Sequence, residues 1–99
     1  MSLYQKILLA CLYVLNFDTP VDIEFTHGGH TYRIYNYIET SSSGLEVGVD
    51  ICIDETKDSY LYDDLWWSIR CSRKTNYSRL NEAVTAIVNA EKRGFTVEY

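Results

Sequence analysis

Basic residues are scarce in this sequence. Its 99 residues include nine lysines and arginines against fourteen acids, for a net charge of −5. The imbalance is strongest in residues 18–64, where eleven acids accompany only Arg33 and Lys57. Because nucleic-acid binding needs a basic surface for the phosphates, this balance argues against nucleic acid as the main ligand. It is compatible with a protein partner that has a basic surface.

Cysteine is also sparse, and long hydrophobic runs are absent. Cys11, Cys52 and Cys71 are an odd number of thiols without close spacing, which predicts reduced cysteines in a cytoplasmic protein. The longest apolar run, residues 7–15, has nine residues, whereas a membrane-spanning helix needs about 20. The sequence therefore predicts neither a disulfide framework nor a membrane segment.

Motifs for catalysis and for cofactor binding are missing. The sequence has no catalytic-triad signature, no glycine-rich phosphate loop and no closely spaced cysteine pair. His27 and His30 are its only histidines, and two ligands do not make a zinc site. The acids between Asp50 and Asp58 lack the glycine and glutamate positions of a calcium-binding loop. We therefore predict no enzyme activity, no cofactor and no metal site.

A β-hairpin over residues 21–38 organises the predicted fold. Its turn is Gly28-Gly29, because glycine adopts the positive φ angles of a two-residue turn without a Cβ clash. Side chains alternate between the two faces of a strand, so one face of the hairpin would be apolar, with Ile23 and Ile34 buried, and the other polar. The turn predicts these cross-strand pairs: His27 with His30, Phe25 with Tyr32, Glu24 with Arg33, and Ile23 with Ile34.

Two further strands follow the hairpin. After a polar loop at residues 40–44, alternation predicts a third strand at residues 45–53 and a fourth at residues 65–72. The core-facing residues of these strands would be Leu45, Val47, Val49, Ile51, Ile53, Leu65, Trp67, Ile69 and Cys71.

Two helices flank the strands. Ser2 would cap the first, over residues 3–16, with Leu8 and Leu12 among its core residues. The second would begin at Asn76 or Ser78 and end near residue 93. Gly94 would then take the C′ position. The buried stripe of the second helix would be Leu80, Ala83, Val84, Ile87 and Val88.

Together these elements predict a single α+β domain over residues 1–99. Its mostly antiparallel sheet of four or five strands would be packed by two helices, in the order α-β-β-β-β-α. Residues 95–99 alternate again and would supply the fifth strand at an edge of the sheet. Its oligomeric state is left open.

Aromatic residues are expected on the polar sheet face. Tyr35, Tyr37 and Trp66 would lie there beside Arg33. Exposed aromatics with arginine anchor protein interfaces, and they also stack on bases in nucleic-acid-binding sheets. The first helix or the C-terminal segment could instead cover this face. Three interpretations therefore stay open: a covered face, a protein interface, and a nucleotide or nucleic-acid site.

A dense group of acids follows the third strand. Residues 54–64, DETKDSYLYDD, hold five acids interleaved with Tyr60 and Tyr62. Such a segment attracts a basic partner over long range, although a solvated loop that only maintains solubility is the alternative. The acids expected to contact the partner are Asp54, Glu55, Asp58, Asp63 and Asp64, with the neighbouring Glu46 and Asp50.

In size, charge and this acidic stretch, the chain resembles the small inhibitor proteins that phages encode against host defence, the anti-CRISPR proteins among them. The resemblance involves no shared motif, so it assigns no residue a role. It implies an α/β domain whose acidic side chains occupy a basic nucleic-acid channel of a host protein. The predicted function is a non-enzymatic protein-binding module of this kind. The alternative is a small nucleotide- or nucleic-acid-binding domain.

Overall fold

The computed structural model describes residues 1–42, 44–54, 66–69 and 77–95. Within them the chain forms two helices and one four-stranded antiparallel sheet, so the α+β fold class is confirmed. The strands are neighbours in the sheet in the order in which they occur in the sequence. The elements are α1 (Leu3–Val14), β1 (Asp22–His27), β2 (His30–Ser41), β3 (Gly44–Ile53), β4 (Trp66–Ile69) and α2 (Tyr77–Lys92).

The β1–β2 hairpin forms as predicted. Gly28 and Gly29 make the turn with φ angles of 59° and 81°, which residues with a Cβ rarely adopt. All four predicted cross-strand pairs occur. Pairing continues beyond β1, because the N–H of Asn36 donates to the carbonyl of Val21 at 3.2 Å. The turn therefore determines the register of this half of the sheet.

The β2–β3 hairpin is longer than predicted. Residues 40–44 were expected to form a polar loop, but Thr40 pairs with Leu45 and Ser41 pairs with Gly44. Threonine is a good strand former because its branched side chain packs well on a pleated surface. Gly44 has a φ of 118°, a conformation that favours glycine beside a turn. The predicted loop was therefore too long at both ends.

The core lies between one face of the sheet, here called the inner face, and the two helices. Two predictions about this face need correction. Leu45 is 50% exposed because it pairs near the turn of the β2–β3 hairpin, away from the core. Ile23 is only half-buried, because β1 has one neighbour in the described sheet. The sheet residues of the core cluster that are fully buried are Tyr32, Ile34, Val49, Ile51 and Ile53.

Helix α1 begins with a capping box. The Ser2 hydroxyl accepts the N–H of Gln5 at 3.2 Å, and Gln5 Oε1 accepts the N–H of Ser2 at 3.0 Å. Leu8 and Leu12, which were predicted to be core residues, are only partly buried. They flank the stripe that packs against the rest of the core. That stripe consists of Leu3, Ile7, Ala10, Cys11 and Val14.

Helix α2 carries the predicted buried stripe and ends as predicted. Leu80, Val84 and Ile87 are buried, and two further members of the stripe are partly buried. At its C-terminus the N–H of Phe95 donates to the carbonyl of Ala90 at 2.8 Å, as in a Schellman motif. Gly94 occupies the C′ position with a φ of 65°.

Strand β4 lies within the fourth strand predicted at residues 65–72. Its register places Trp66 opposite Cys52 and Ile69 opposite Val49. Phe95, the first residue of the proposed terminal strand, lies in the turn after α2 with a φ of 57°. The remaining parts of these two predictions, and the Asn76 cap, lie outside the described residues.

Both helices pack on the inner face. Their buried residues share one cluster with the inner-face residues of the sheet, and α1 contacts α2, β1 and β2. Because both helices pack on the inner face, neither helix covers the opposite face of the sheet.

In the described part of the chain, neither helix has the length and hydropathy needed to cross a membrane.

Candidate functional site

The side of the sheet that faces away from the helices is here called the outer face. Its residues alternate with the core residues along each strand. The interpretation that α1 covers it is wrong, because α1 packs on the inner face. The C-terminal segment, the other proposed cover, lies outside the described residues after Phe95. The outer-face residues include Asp22, Glu24 and Thr26 in β1, Thr31, Arg33, Tyr35, Tyr37 and Glu39 in β2, and Gly48, Asp50 and Cys52 in β3.

Arg33 lies near the middle of the outer face and makes contacts on both sides. Its guanidinium carbon is 4.8 Å from the centroid of the Tyr35 ring, within the range of a cation–π interaction. Its Nη2 is 3.4 Å from Asp22 Oδ2, although Glu24 is the residue directly opposite in the register. Because Arg33 is held between a ring and a carboxylate, it presents an ordered guanidinium on this face.

Tyr35 and Asp50 are cross-strand partners on the outer face. Burial raises the pKa of Tyr35 to about 12, and the charge of Asp50 and a hydrogen bond to it add to the rise, whereas Arg33 opposes it. Asp50 Oδ1 is buried and has no hydrogen-bond partner within the described residues. The phenol of Tyr35 therefore stays protonated beside a carboxylate at neutral pH.

Tyr37 covers the backbone of the neighbouring strand. It is the cross-strand partner of Gly48, and its ring occupies the space that a Cβ on Gly48 would need. The next register pair on this face, Glu39 with Glu46, brings two acidic positions opposite each other.

Acidic residues predominate on the outer face. Asp22, Glu24 and Glu39 are exposed, and Asp50 is half-buried. Arg33 is the basic residue among the outer-face positions of β1, β2 and β3 whose side chains are described. This charge distribution attracts a basic surface and disfavours a phosphate backbone.

Apart from Asp54, the predicted site residues fall into three groups. Arg33, Tyr35 and Tyr37 lie together on the outer face and are half-buried. Trp66 is placed by backbone register opposite Cys52, in the cross-strand row that also contains Arg33. The predicted contact residues Glu55, Asp58, Asp63 and Asp64 lie outside the described residues.

Asp54 belongs to a second polar cluster, at the tip of the β1–β2 hairpin. His30 Nδ1 is 2.5 Å from Asp54 Oδ2, and the N–H of Thr31 donates to Asp54 Oδ1 at 2.8 Å. The N–H of Asp54 donates back to the carbonyl of Thr31 at 2.8 Å. Lys6 Nζ lies 3.4 Å from His27 Nδ1. The cluster thus ties the hairpin tip to α1 and to the end of β3.

This cluster does not form a metal centre in the part of the chain that the structure describes. No group of three or more His, Cys, Asp or Glu side chains there could hold a metal ion. His30 packs edge-on against Phe95, with ring centroids 4.9 Å apart. The carboxylate of Asp54 is engaged by two groups of its own chain. The geometry of Asp54 fits a structural role at the C-terminal end of β3.

Tyr32 lies below the hairpin tip, on the inner face. Its ring stacks on Phe25 with centroids 5.1 Å apart. Its hydroxyl is buried and has no hydrogen-bond partner among the described residues. Burial raises the pKa of Tyr32 to about 12, with smaller contributions from the charges of Glu91 and Asp54.

Sequence analysis assigned no role to Asn36, the one polar residue that is buried in the described part of the chain. Its Oδ1 accepts the N–H of Val21 at 2.8 Å. Its Nδ2 donates to the carbonyls of Val14, Phe17 and Thr19 at 3.0, 3.2 and 3.0 Å. The sequence feature that could have revealed this role is an amide side chain at an inward-pointing position of an otherwise apolar strand face. A polar group buried there needs hydrogen-bond partners.

Comparison of the chain with protein-family models, with curated proteins and with solved structures finds no match. The function must therefore be argued from the geometry and charge of the chain itself.

Proposed function

We propose that this protein is a non-enzymatic protein-binding module whose outer face binds a partner with a basic surface. The proposal is carried by one observation: Arg33, Tyr35 and Tyr37 share a sheet face that both helices leave uncovered. Sheets of one-sided α+β domains usually present polar residues to solvent on that side. A face that combines two tyrosines and a stacked arginine instead has the composition of a binding surface.

The charges around these residues favour a basic partner. Asp22 and Glu24 are exposed on β1, and Asp50 lies beside Tyr35 on β3. Carboxylates around an aromatic patch speed association with a positively charged partner, and a desolvated carboxylate–arginine pair adds specificity. The aromatic rings would supply the buried contact, while the acids would steer the encounter.

A finer proposal names the kind of partner. We propose a phage-type, anti-CRISPR-like inhibitor that acts in the cytoplasm and blocks the basic groove of a nucleic-acid-binding host protein. The five acids in residues 54–64 and the net charge of −5 support this. Cys11 and Cys52 are buried thiols, which suits a reducing compartment. Glu55, Asp58, Asp63 and Asp64 would extend the acidic contact beyond the outer face.

The partner is first isolated by affinity capture from host-cell lysate and identified by mass spectrometry. Dissociation constants are then measured for three groups of variants. The first tests the rings with Tyr35→Ala and Tyr37→Ala. The second tests the acids of β1 with Asp22→Asn and Glu24→Gln. The third combines Glu55→Gln, Asp58→Asn, Asp63→Asn and Asp64→Asn.

Asp54 is kept unchanged in all of these variants, because its substitution would disturb the end of β3. Glu82→Gln is the matched charge control, since Glu82 is exposed on α2, on the other side of the sheet. Circular dichroism and thermal unfolding confirm that each variant folds.

The ring variants should weaken binding at least about tenfold, or about 1.4 kcal/mol. The acid variants should act mainly on the association rate, and this effect should shrink at high salt. Glu82→Gln should bind as the wild type does. Unchanged binding by both ring variants would contradict an interface on the outer face. The nucleotide- or nucleic-acid-binding alternative would be favoured if nucleic acid is captured. Its affinity should then fall steeply with salt and weaken when Arg33 is substituted.

A further inference from the structure

Helix α1 presents a second candidate surface, on the side of the molecule opposite the outer face. Within the described residues, four large hydrophobic side chains are exposed: Met1, Leu9, Tyr13 and Leu45. Three of them belong to α1 or to the residues just before it. Leu9 and Tyr13 are 52% and 51% exposed, and residues four apart lie on the same helix face.

The exposed stripe extends past the end of the helix. The rings of Tyr13 and Phe17 make an edge contact, with centroids 5.0 Å apart. Leu12 borders the stripe and is only partly buried, and Gln5 and Asn16 are the exposed polar residues near its two ends. A short apolar patch with polar ends on a helix surface is typical of an interaction site.

Charge indicates which partner fits this stripe. Residues 1–17 contain no acid and one lysine, whereas the rest of the chain carries fourteen acids and eight basic residues. Two copies of an acidic protein repel each other wherever their acids approach. The α1 surface is a region where two copies can meet without that repulsion.

Other surfaces and other partners fit less well. The edge of β1 carries exposed Asp22 and Glu24, and acids at a sheet edge oppose pairing with a second copy. Interfacial membrane helices rely on lysine and arginine, but Lys6 is the one basic residue of α1. An anionic membrane would also repel the acidic remainder of the chain.

We infer that α1 is a homodimer contact, in which the Leu9 and Tyr13 stripes of two copies pack against each other in antiparallel orientation. A two-fold contact is self-complementary, so Leu9 of one copy meets Tyr13 of the other and the reverse. Two half-exposed side chains per copy, with their neighbours, bury less area than a stable interface of about 800 Å² per partner. The dimer is therefore weak and depends on protein concentration.

Sedimentation velocity of the full chain over a wide concentration series tests this inference. The test variants are Leu9→Lys and Tyr13→Lys, and the matched control is Thr85→Lys, at an exposed position on α2. Lysine reduces the net negative charge in all three, which on its own would favour association. A loss of association in the α1 variants alone must therefore come from the lost apolar contact.

The wild type should show a concentration-dependent dimer that tightens as salt screens the acids, and Thr85→Lys should dimerise at least as tightly. Each α1 variant should raise the dimer dissociation constant at least about tenfold. Dilution of the wild type, followed by NMR, should move the amide signals of Leu9 and Tyr13. A monomer at every concentration would overturn the inference. A dimer that both α1 variants leave intact would also overturn it. The same holds if the monomeric chain binds lipid vesicles and Leu9→Lys abolishes that binding.

Discussion

The ring of Tyr37 lies across Gly48 on the neighbouring strand and fills the space that a side chain at residue 48 would need. The two residues are cross-strand partners in the register of β2 and β3. The atoms of Tyr37 in the way of a Cβ belong to the far end of its side chain, so the ring can swing aside. Substitution of Gly48 therefore gives a way to move one ring of the outer face without changing the ring itself.

We expect Gly48→Ala to be stabilising only when Tyr37 is absent. In a Tyr37→Ala background the substitution should stabilise by about 0.4–1 kcal/mol, because alanine restricts the unfolded chain. With Tyr37 present, the loss of ring packing should offset this gain. Urea unfolding of the two single variants and the double variant measures the coupling, which should be at least about 0.5 kcal/mol. Additive effects would mean that the ring does not pack on Gly48 in solution.

Removal of the Asn36 amide should destabilise the protein strongly. Asn36→Ala leaves the N–H of Val21 without its side-chain partner and removes the hydrogen bonds that the carbonyls of Val14, Phe17 and Thr19 accept from the amide. Unpaired buried groups cost about 1–3 kcal/mol each, so we expect a loss of at least about 2 kcal/mol. Asn36→Asp should also destabilise, because it replaces the donating amide with an acceptor. Urea midpoints measure both effects.

Thr26→Ala is the control for Asn36, because Thr26 is exposed on the outer face. It should change the free energy of unfolding by less than about 0.5 kcal/mol. Wild-type stability of Asn36→Leu would contradict the role of the amide in holding the end of α1.

The stability of the wild type should fall as the pH rises from 10 to 12. The pKa of Tyr32 is 10 in an unfolded chain and about 12 in the folded protein, so the unfolded state loses its proton first. The stabilisation of the folded protein that comes from this pKa difference is complete below pH 10. It is lost as the pH approaches the pKa of Tyr32 in the folded protein. Tyr35 acts in the same direction, with a pKa of about 12.

Tyr32→Phe should therefore make the alkaline loss of stability smaller. At neutral pH it should leave stability unchanged or raise it by up to about 1 kcal/mol, because the removed hydroxyl is buried without a partner among the described residues. Thermal unfolding at several pH values measures both effects, and Tyr13→Phe is the exposed control. A large loss of stability at neutral pH would show that the hydroxyl of Tyr32 has a partner in solution.

Truncation of α1 residues should distinguish its buried stripe from its flanks. Ile7 is fully buried, so Ile7→Ala should cost about 2–5 kcal/mol through lost burial and a cavity. Leu12 is only partly buried, and Leu12→Ala should cost clearly less than Ile7→Ala in the same denaturant experiment. Equal costs would mean that Leu12 is as deeply packed as Ile7.

The sequence predicts the structure correctly where a few neighbouring residues determine it. The Gly28-Gly29 turn sets the register of the β1–β2 hairpin, because two-residue turns require positive φ angles. The residue types at the end of α2 likewise predicted that Gly94 takes the C′ position of this helix. Alternation along β2 then placed Arg33, Tyr35 and Tyr37 on one face, so much of the candidate site follows from the hairpin alone.

The sequence did not predict the structure where contacts between residues far apart in the chain determine it. A nine-residue apolar run makes α1 hydrophobic on most sides, so periodicity could not select Ile7 over Leu12 as the buried position. The hydrogen-bond partners of the Asn36 side chain lie 15 to 22 residues away in sequence. Asp54 looked like the first acid of a charged segment, but its contacts with Thr31 and His30 depend on the final register of the sheet.

The register of β3 and β4 has a consequence for how the acidic segment can evolve. Residues 55–65 connect Asp54, which is fixed by its own hydrogen bonds, to Trp66, which pairs with Cys52. The residues that hold these two ends, His30, Thr31 and Cys52, all lie outside the acidic segment. Charge changes within the acidic segment leave these anchoring residues unaltered, so a lineage could retarget the segment while the sheet stays the same.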